Sequence, residues 1–187
     1  MKIKNGSKKL IVSLFCGVGG LDLGFEAAGF EIALAVDNNP KVLAAYQKNF
    51  PDTLTLCENI ANLNPEKIKE LVKQKYPQWD GKLAAVIGGP PCQPFSAAGK
   101  QNPNDERNQL IIKYIELVVG LQPDSFVMEN VLALEWEKYS HVTSFAWKNI
   151  CEHYHAKKWS LVASDYGVPQ KRKRLIWIGY KQGEIKT

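Results

Sequence analysis

A run of five apolar residues, Leu83-Ala84-Ala85-Val86-Ile87, is followed at once by Gly88-Gly89-Pro90-Pro91-Cys92-Gln93-Pro94-Phe95-Ser96. The run has the length and bounding residues of a buried strand. Two glycines and three prolines in nine positions exclude both helix and regular sheet, because proline fixes φ and removes a donor. The chain must therefore leave a buried strand into a rigid loop with one thiol at its centre. A lone cysteine is ordinarily a small buried hydrophobe on a periodic element. Cys92 instead lies between prolines, past a strand's C-terminal end, where open α/β sheets bind their ligands. That position marks it as a nucleophile candidate.

The remaining chain alternates short apolar runs with helical periodicity. Strands are predicted at Leu10–Phe15, Ile32–Val36 (ending in Asp37), Leu54–Leu56 and Ser125–Met128 (ending at Glu129-Asn130). Two closing strands are expected at Trp159–Ser164 and Leu175–Tyr180, around the basic turn Lys171-Arg172-Lys173-Arg174. Helices are predicted at Leu21–Ala28, from Pro40 to about Phe50, and at Pro65–Tyr76, Glu106–Leu121 and Thr143–His155, with prolines at two helix starts. Such alternation predicts an α/β fold, a mostly parallel sheet with helices on both faces. With 187 residues and 45% hydrophobic content, one domain spanning 1–187 is expected. Four scattered cysteines without a Cys-x-x-Cys pair predict a reduced, cytoplasmic protein without structural metal. No membrane span or signal peptide is read in the sequence. The net charge of +5 is mild, but basic residues gather beyond Lys157. The polar stretch Gln101–Asp105 is a candidate active-site flap.

Between the first strand and first helix lies Cys16-Gly17-Val18-Gly19-Gly20. A lone Gly-x-Gly is weak evidence, and Asp22 replaces the third glycine of the dinucleotide fingerprint. The strand-to-helix context adds weight, since a helix N-terminus offers free amides to a carboxylate or phosphate. Asp37 ends the next strand at the spacing from Gly17 that suits an acid accepting from ribose hydroxyls. Asp37 could equally be the N-cap of the helix that begins near Pro40. Loop and acid together predict an adenosine-containing cofactor without a pyrophosphate.

Five blocks, in order, resemble the DNA cytosine-5 methyltransferases. They are Phe15–Phe25, Asp37, Gly88–Ser96, Glu129-Asn130-Val131 and Tyr166-Gly167-Val168-Pro169-Gln170-Lys171-Arg172-Lys173-Arg174. The resemblance runs from Leu10 to Tyr180 and implies a Rossmann-like S-adenosylmethionine-dependent methyltransferase fold with an antiparallel last strand. It implies Cys92 as the nucleophile that adds to carbon 6 of cytosine, a role that depends on its thiolate fraction. Glu129 holds or protonates ring nitrogen N3, which asks for a raised carboxyl pKa. Arg172 assists the developing charge, and Arg174 organises the loop or a phosphate. Gln93, Ser96, Asn130 and Gln170 are assigned to the flipped nucleotide or the DNA. For the cofactor, S-adenosyl-L-methionine, the resemblance implies Phe15 and Pro90 beside the adenine and Asp37 on the ribose. Gly17, Gly19, Gly20 and Leu21 receive the methionine part, while Asn38, Asn59 and Ile60 complete the pocket.

Three departures qualify that resemblance. Asn59 stands where the family usually has an acid near the adenine amine, and Asn38 replaces a bulky apolar residue after the ribose acid. The target-recognition region and C-terminal segment have no counterpart here. The leading expectation is therefore the catalytic part of a split or truncated restriction-modification enzyme acting on double-stranded DNA, completed by a second polypeptide carrying the recognition domain. An uncovered apolar surface is expected where the missing segment packs. The alternatives are an RNA (tRNA) cytosine-5 methyltransferase and a non-catalytic remnant that binds cofactor or nucleic acid.

Overall fold

A computed structural model describes residues 9–91 and 109–181. Seven strands form one sheet in the order β3-β2-β1-β4-β5-β7-β6. The strands are β1 (Leu10–Leu14), β2 (Glu31–Asp37), β3 (Leu54–Cys57), β4 (Ala85–Gly88), β5 (Ser125–Asn130), β6 (Tyr154–Val162) and β7 (Lys173–Lys181). The first five pair in parallel, while β7 runs antiparallel to both β5 and β6. The expected α/β class and antiparallel last strand are both found.

The helices are α1 (Gly20–Ala27), α2 (Pro40–Asn49), α3 (Pro65–Lys75), α4 (Gln109–Leu121) and α5 (Ser140–Cys151). Asn39 and Asn64 cap α2 and α3 with their side chains, each followed by proline at the first helical position. Alternation along the buried strands divides the core in two. Val12, Leu14, Val86, Phe126, Met128 and Trp177 face α3, α4 and α5, whereas Ile11, Ala35, Ala85 and Ile87 pack with Tyr46 and Phe50 of the α2 region. Tyr114 of α4 is buried and donates toward the carbonyls of Val86 (3.1 Å) and Val127 (2.9 Å), tying the helix to two central strands.

The largest departure from the sequence expectation is at β6. It starts at Tyr154, inside the segment predicted as helix, because α5 ends at Cys151. Tyr154 is buried and donates to the Pro123 carbonyl (2.9 Å), so tertiary contacts override local periodicity there. Lys158 on β6 lies 4.4 Å and 4.6 Å from the ring centroids of Trp147 and Trp177, with both Glu135 oxygens 3.1 Å away. This cation–π and ion-pair cluster joins α5, β6 and β7. Short 3₁₀ turns at Leu132–Glu135 and Glu137–Tyr139, unpredicted by the sequence, lead from β5 into α5.

The strand registers also define an uncovered face. His155, Lys157 and Trp159 of β6 oppose Tyr180, Ile178 and Ile176 of β7, and Ile178 opposes Val127 of β5. Trp159, Ile178 and Tyr180 are exposed, and no helix among the described residues covers this side of β5, β7 and β6. The same face continues to Glu129 and Arg174, at the C-terminal end of β5.

Candidate active site

The strand order reverses between β1 and β4, since β1, β2 and β3 step one way and β4 and β5 the other. Such a switch point opens a crevice at the strands' C-terminal ends. Two adjoining compartments lie there. The inner one, about 170 Å³, is lined by Phe15, Asp37, Asn38, Asn59, Ile60, Gly89, Pro91 and Leu110. The outer one, about 520 Å³, shares Asn38, Asn59, Gly89, Pro91 and Leu110 and adds Pro90, Glu129, Val131, Arg172 and Arg174. A larger cavity, about 570 Å³ and lined by Lys9, Tyr76 and Trp79, lies at the opposite strand ends, away from all of the motifs.

The inner compartment begins where β1 ends. Phe15 has φ of 55°, a conformation uncommon outside glycine that turns the chain sharply off the strand. Gly19 then takes φ of 92°, and a Cβ there would stand 2.1 Å from the Phe50 ring. Only glycine fits. Gly19 is also the N-cap of α1 and supplies no side-chain cap, so amides of the first turn remain available. Gly20 and Leu21 are the first two residues of that turn. Asp37 binds the loop from β2, its Oδ2 accepting from the Gly17 amide at 3.1 Å and its Oδ1 from Asn39 at 3.0 Å. The cap of α2 is Asn39, so Asp37 is not the helix cap that the sequence left open. Glycine backbone and helix amides beside the Asp37 carboxylate at the strand ends fit an amino-acid-bearing nucleoside cofactor.

Asn59 lines both compartments, and its Oδ1 accepts from the Ala61 amide (3.0 Å), capping a 3₁₀ turn at Ile60–Asn62. Leu110 of α4 faces both compartments and was not picked out by sequence reasoning. It lies on a helix whose apolar periodicity serves the core, so only the tertiary structure distinguishes it. Pro90, expected beside the adenine, is buried and faces the outer compartment, while Pro91 lines the inner one.

In the outer compartment Glu129 and Arg174 form an ion pair, Nε to Oε1 at 2.6 Å, across the β5–β7 pairing. The contact to Glu129 thus comes from Arg174, with Arg172 two residues away on the same wall. Gly89 permits the close passage of the loop, since a Cβ there would come within 3.2 Å of Glu129 Oε2. Asn130 departs from its expected substrate contact. It is 1% exposed, donates to the Pro90 carbonyl (3.3 Å) and accepts from the Val131 amide (2.8 Å). Its position at the inward-facing end of β5 makes it a brace for the proline loop. Gln170 is exposed in the basic turn. Cys92, Gln93, Ser96 and the Gln101–Asp105 flap lie outside the described residues. Among the described residues, no cluster of His, Cys, Asp or Glu could hold a metal, and no helix is long and apolar enough to cross a membrane.

Fold and crevice together define a Rossmann-like α/β domain whose strand-end crevice suits a nucleoside cofactor. Comparison with known proteins narrows the class. The family model for the C-5 cytosine-specific DNA methylases matches residues 10–187, and the chain belongs to that family, whose methyl donor is S-adenosylmethionine. It is 38% identical over 179 residues to the type II methyltransferase M.XorII of Xanthomonas oryzae pv. oryzae, covering 92% of this chain and 40% of that protein. It is 36% identical over 190 residues to M.AquIA of Picosynechococcus, covering 95% of this chain and 74% of that protein. Among solved structures, an E. coli prophage-encoded DNA modification methyltransferase superposes with a TM-score of 0.82 at 38% identity, covering 94% of this chain and 47% of the other. DNMT2 of Spodoptera frugiperda superposes with a TM-score of 0.74 at 30% identity, covering 95% and 51%. The chain therefore spans about half or less of M.XorII and of both solved structures, but most of M.AquIA.

Proposed function

We propose that this chain carries the catalytic region of a DNA methyltransferase that modifies carbon 5 of cytosine. The observation that carries this reading is the adjacency of two compartments, one lined by Asp37, which accepts from the Gly17 amide, and the other by the Glu129–Arg174 pair, with Pro91, the residue before Cys92, in the wall of both. S-adenosylmethionine, when bound, supplies an electrophilic methyl group. Phe15, Asn59, Ile60 and Pro91 hold its adenosine end, Asp37 its ribose, and Gly17, Gly19, Gly20 and Leu21 its amino-acid end.

Carbon 5 of cytosine is a weak nucleophile until a group adds to carbon 6. Cys92 is assigned that addition as a thiolate. Glu129, held in orientation by its ion pair with Arg174, takes up a proton and donates it to N3 as negative charge develops on the ring. Arg172 holds the base from the same wall. Once the methyl group is on carbon 5, a base removes that carbon's proton and the Cys92 thiolate leaves carbon 6. Gln93, Ser96 and Gln170 contact the nucleotide that is swung out of the duplex. Asn130 keeps the proline loop in place through the Pro90 carbonyl.

Recognition of the DNA sequence is assigned to a second polypeptide. One observation supports this: the open face of β5, β7 and β6, where exposed Trp159, Ile178 and Tyr180 lie. The test is transfer of labelled methyl groups to genomic DNA and to tRNA, with and without the product of the neighbouring reading frame, and with Cys92→Ser as control. Cys92-dependent transfer to DNA cytosine only when the neighbour is present is the expected result. Transfer to tRNA by the chain alone would move the substrate to RNA. Cofactor binding without any transfer would leave a remnant.

A further inference from the structure

Asp22 is the third residue of α1, directly behind the Gly17–Gly20 loop. It is fully buried, and neither carboxylate oxygen has a hydrogen-bond partner. Its surroundings come from three elements: Ser13 of β1, Cys16 of the loop and Tyr46 of α2. The charged groups acting on that cluster are Asp37 and Glu26, both acidic. Ser13 and the helix's own amide draw near enough to favour the ionised form, without closing a hydrogen bond.

Burying a carboxylate without a cation is costly. The N-terminus of α1 offsets part of that cost, since its partial positive charge favours an acid in the first turn. No described cation offsets the rest. The loop above Asp22 is the part of the crevice assigned to the amino-acid end of the cofactor. S-adenosylmethionine carries a positively charged sulfur, whereas S-adenosylhomocysteine, left after transfer, carries a neutral one. Both share the same adenosine and amino-acid groups, so they differ in charge at one place.

We propose that Asp22 is a specificity-determining residue for cofactor charge: its carboxylate, buried behind the glycine loop, favours S-adenosylmethionine over S-adenosylhomocysteine. The inference rests on the loop being the S-adenosylmethionine site. Asp22 acts through the field and touches neither ligand. The preference is lost together with the methyl group, which weakens the hold on the product and aids its release.

The test is equilibrium binding of three ligands to the chain and to Asp22→Asn by calorimetry, at pH 8 and pH 5. The ligands are S-adenosylmethionine, S-adenosylhomocysteine and sinefungin, which has an ammonium in place of the methylated sulfur. At pH 8 the preference for the two charged ligands over the neutral one should fall about five- to tenfold in Asp22→Asn, the scale of one screened charge pair. Burial raises the Asp22 pKa to about 6, so the unsubstituted chain should lose most of its preference at pH 5. The variant's preference should not change with pH. An equal preference in both proteins at both pH values overturns the proposal while leaving the cofactor site intact. Failure of all three ligands to bind the unsubstituted chain overturns the cofactor assignment itself, and the proposal with it.

Discussion

Replacing Asp22 by Asn should stabilise the protein, and the gain should depend on pH. The side chain is fully buried, and desolvation is the largest influence on it, raising its pKa from 3.8 to about 6. A folded-state pKa above the unfolded one means that the native chain binds more protons between those values. Stability therefore falls as pH rises through that window. Below pH 4 the carboxyl is protonated in both states and costs little. By pH 8 it is ionised in both, and the penalty has reached its full size of about 3 kcal/mol, from 1.36 kcal/mol per pKa unit. Asn keeps the shape and has no charge to desolvate, so it removes the penalty. Urea unfolding of both proteins at pH 4, 6 and 8 measures the difference. The expected gain for Asp22→Asn is about 0.5 kcal/mol at pH 4, rising to about 3 kcal/mol at pH 8. A gain that did not change with pH, or a loss at pH 8, would refute the reasoning and mean that the native carboxylate is paired.

Two further substitutions probe the scaffold of the crevice. Tyr114→Phe removes a buried hydroxyl that donates toward the Val86 and Val127 carbonyls, and should cost about 1–3 kcal/mol. That loss should appear as a lower urea midpoint with an unchanged slope; no change in midpoint would mean the hydroxyl contributes nothing. Gly19→Ala puts a methyl 2.1 Å from the Phe50 ring at φ of 92°, and should cost about 2–4 kcal/mol from overpacking and backbone strain. It should also weaken S-adenosylhomocysteine binding in calorimetry, and unaltered binding would show that the loop's path does not shape the site.

Much of this protein was legible in its sequence because the decisive signals are local. Alternating apolar runs set the strands, prolines set helix starts, and the glycines after β1 and the Gly-Pro-Pro stretch after β4 read as loops at strand ends, although Gly88 closes β4 and Gly20 opens α1. Asp37 illustrates the limit. The spacing from Gly17 was visible, but whether it capped α2 or held the loop depended on which oxygen met which amide. Asn39 takes the cap, and Asp37 reaches the Gly17 amide 20 residues away.

The sequence by itself determined the element order, the fold class and the set of chemical groups, since these follow from periodicity, backbone restriction and side-chain type. Only the tertiary structure decided how those groups meet. The β5–β7 register put Arg174, not Arg172, on Glu129. Pleat direction turned Asn130 inward to the Pro90 carbonyl. β6 begins at Tyr154, before the predicted start at Trp159 and inside the end of the predicted helix, because Tyr154 and Lys158 find partners on Pro123, Glu135 and two tryptophans. Burial of Asp22 without a cation also emerges only when α1 is laid against β1 and α2. The physical reason is the same throughout: hydrogen bonds, ion pairs and desolvation act between residues distant in the chain, at separations that only the packed sheet brings within reach.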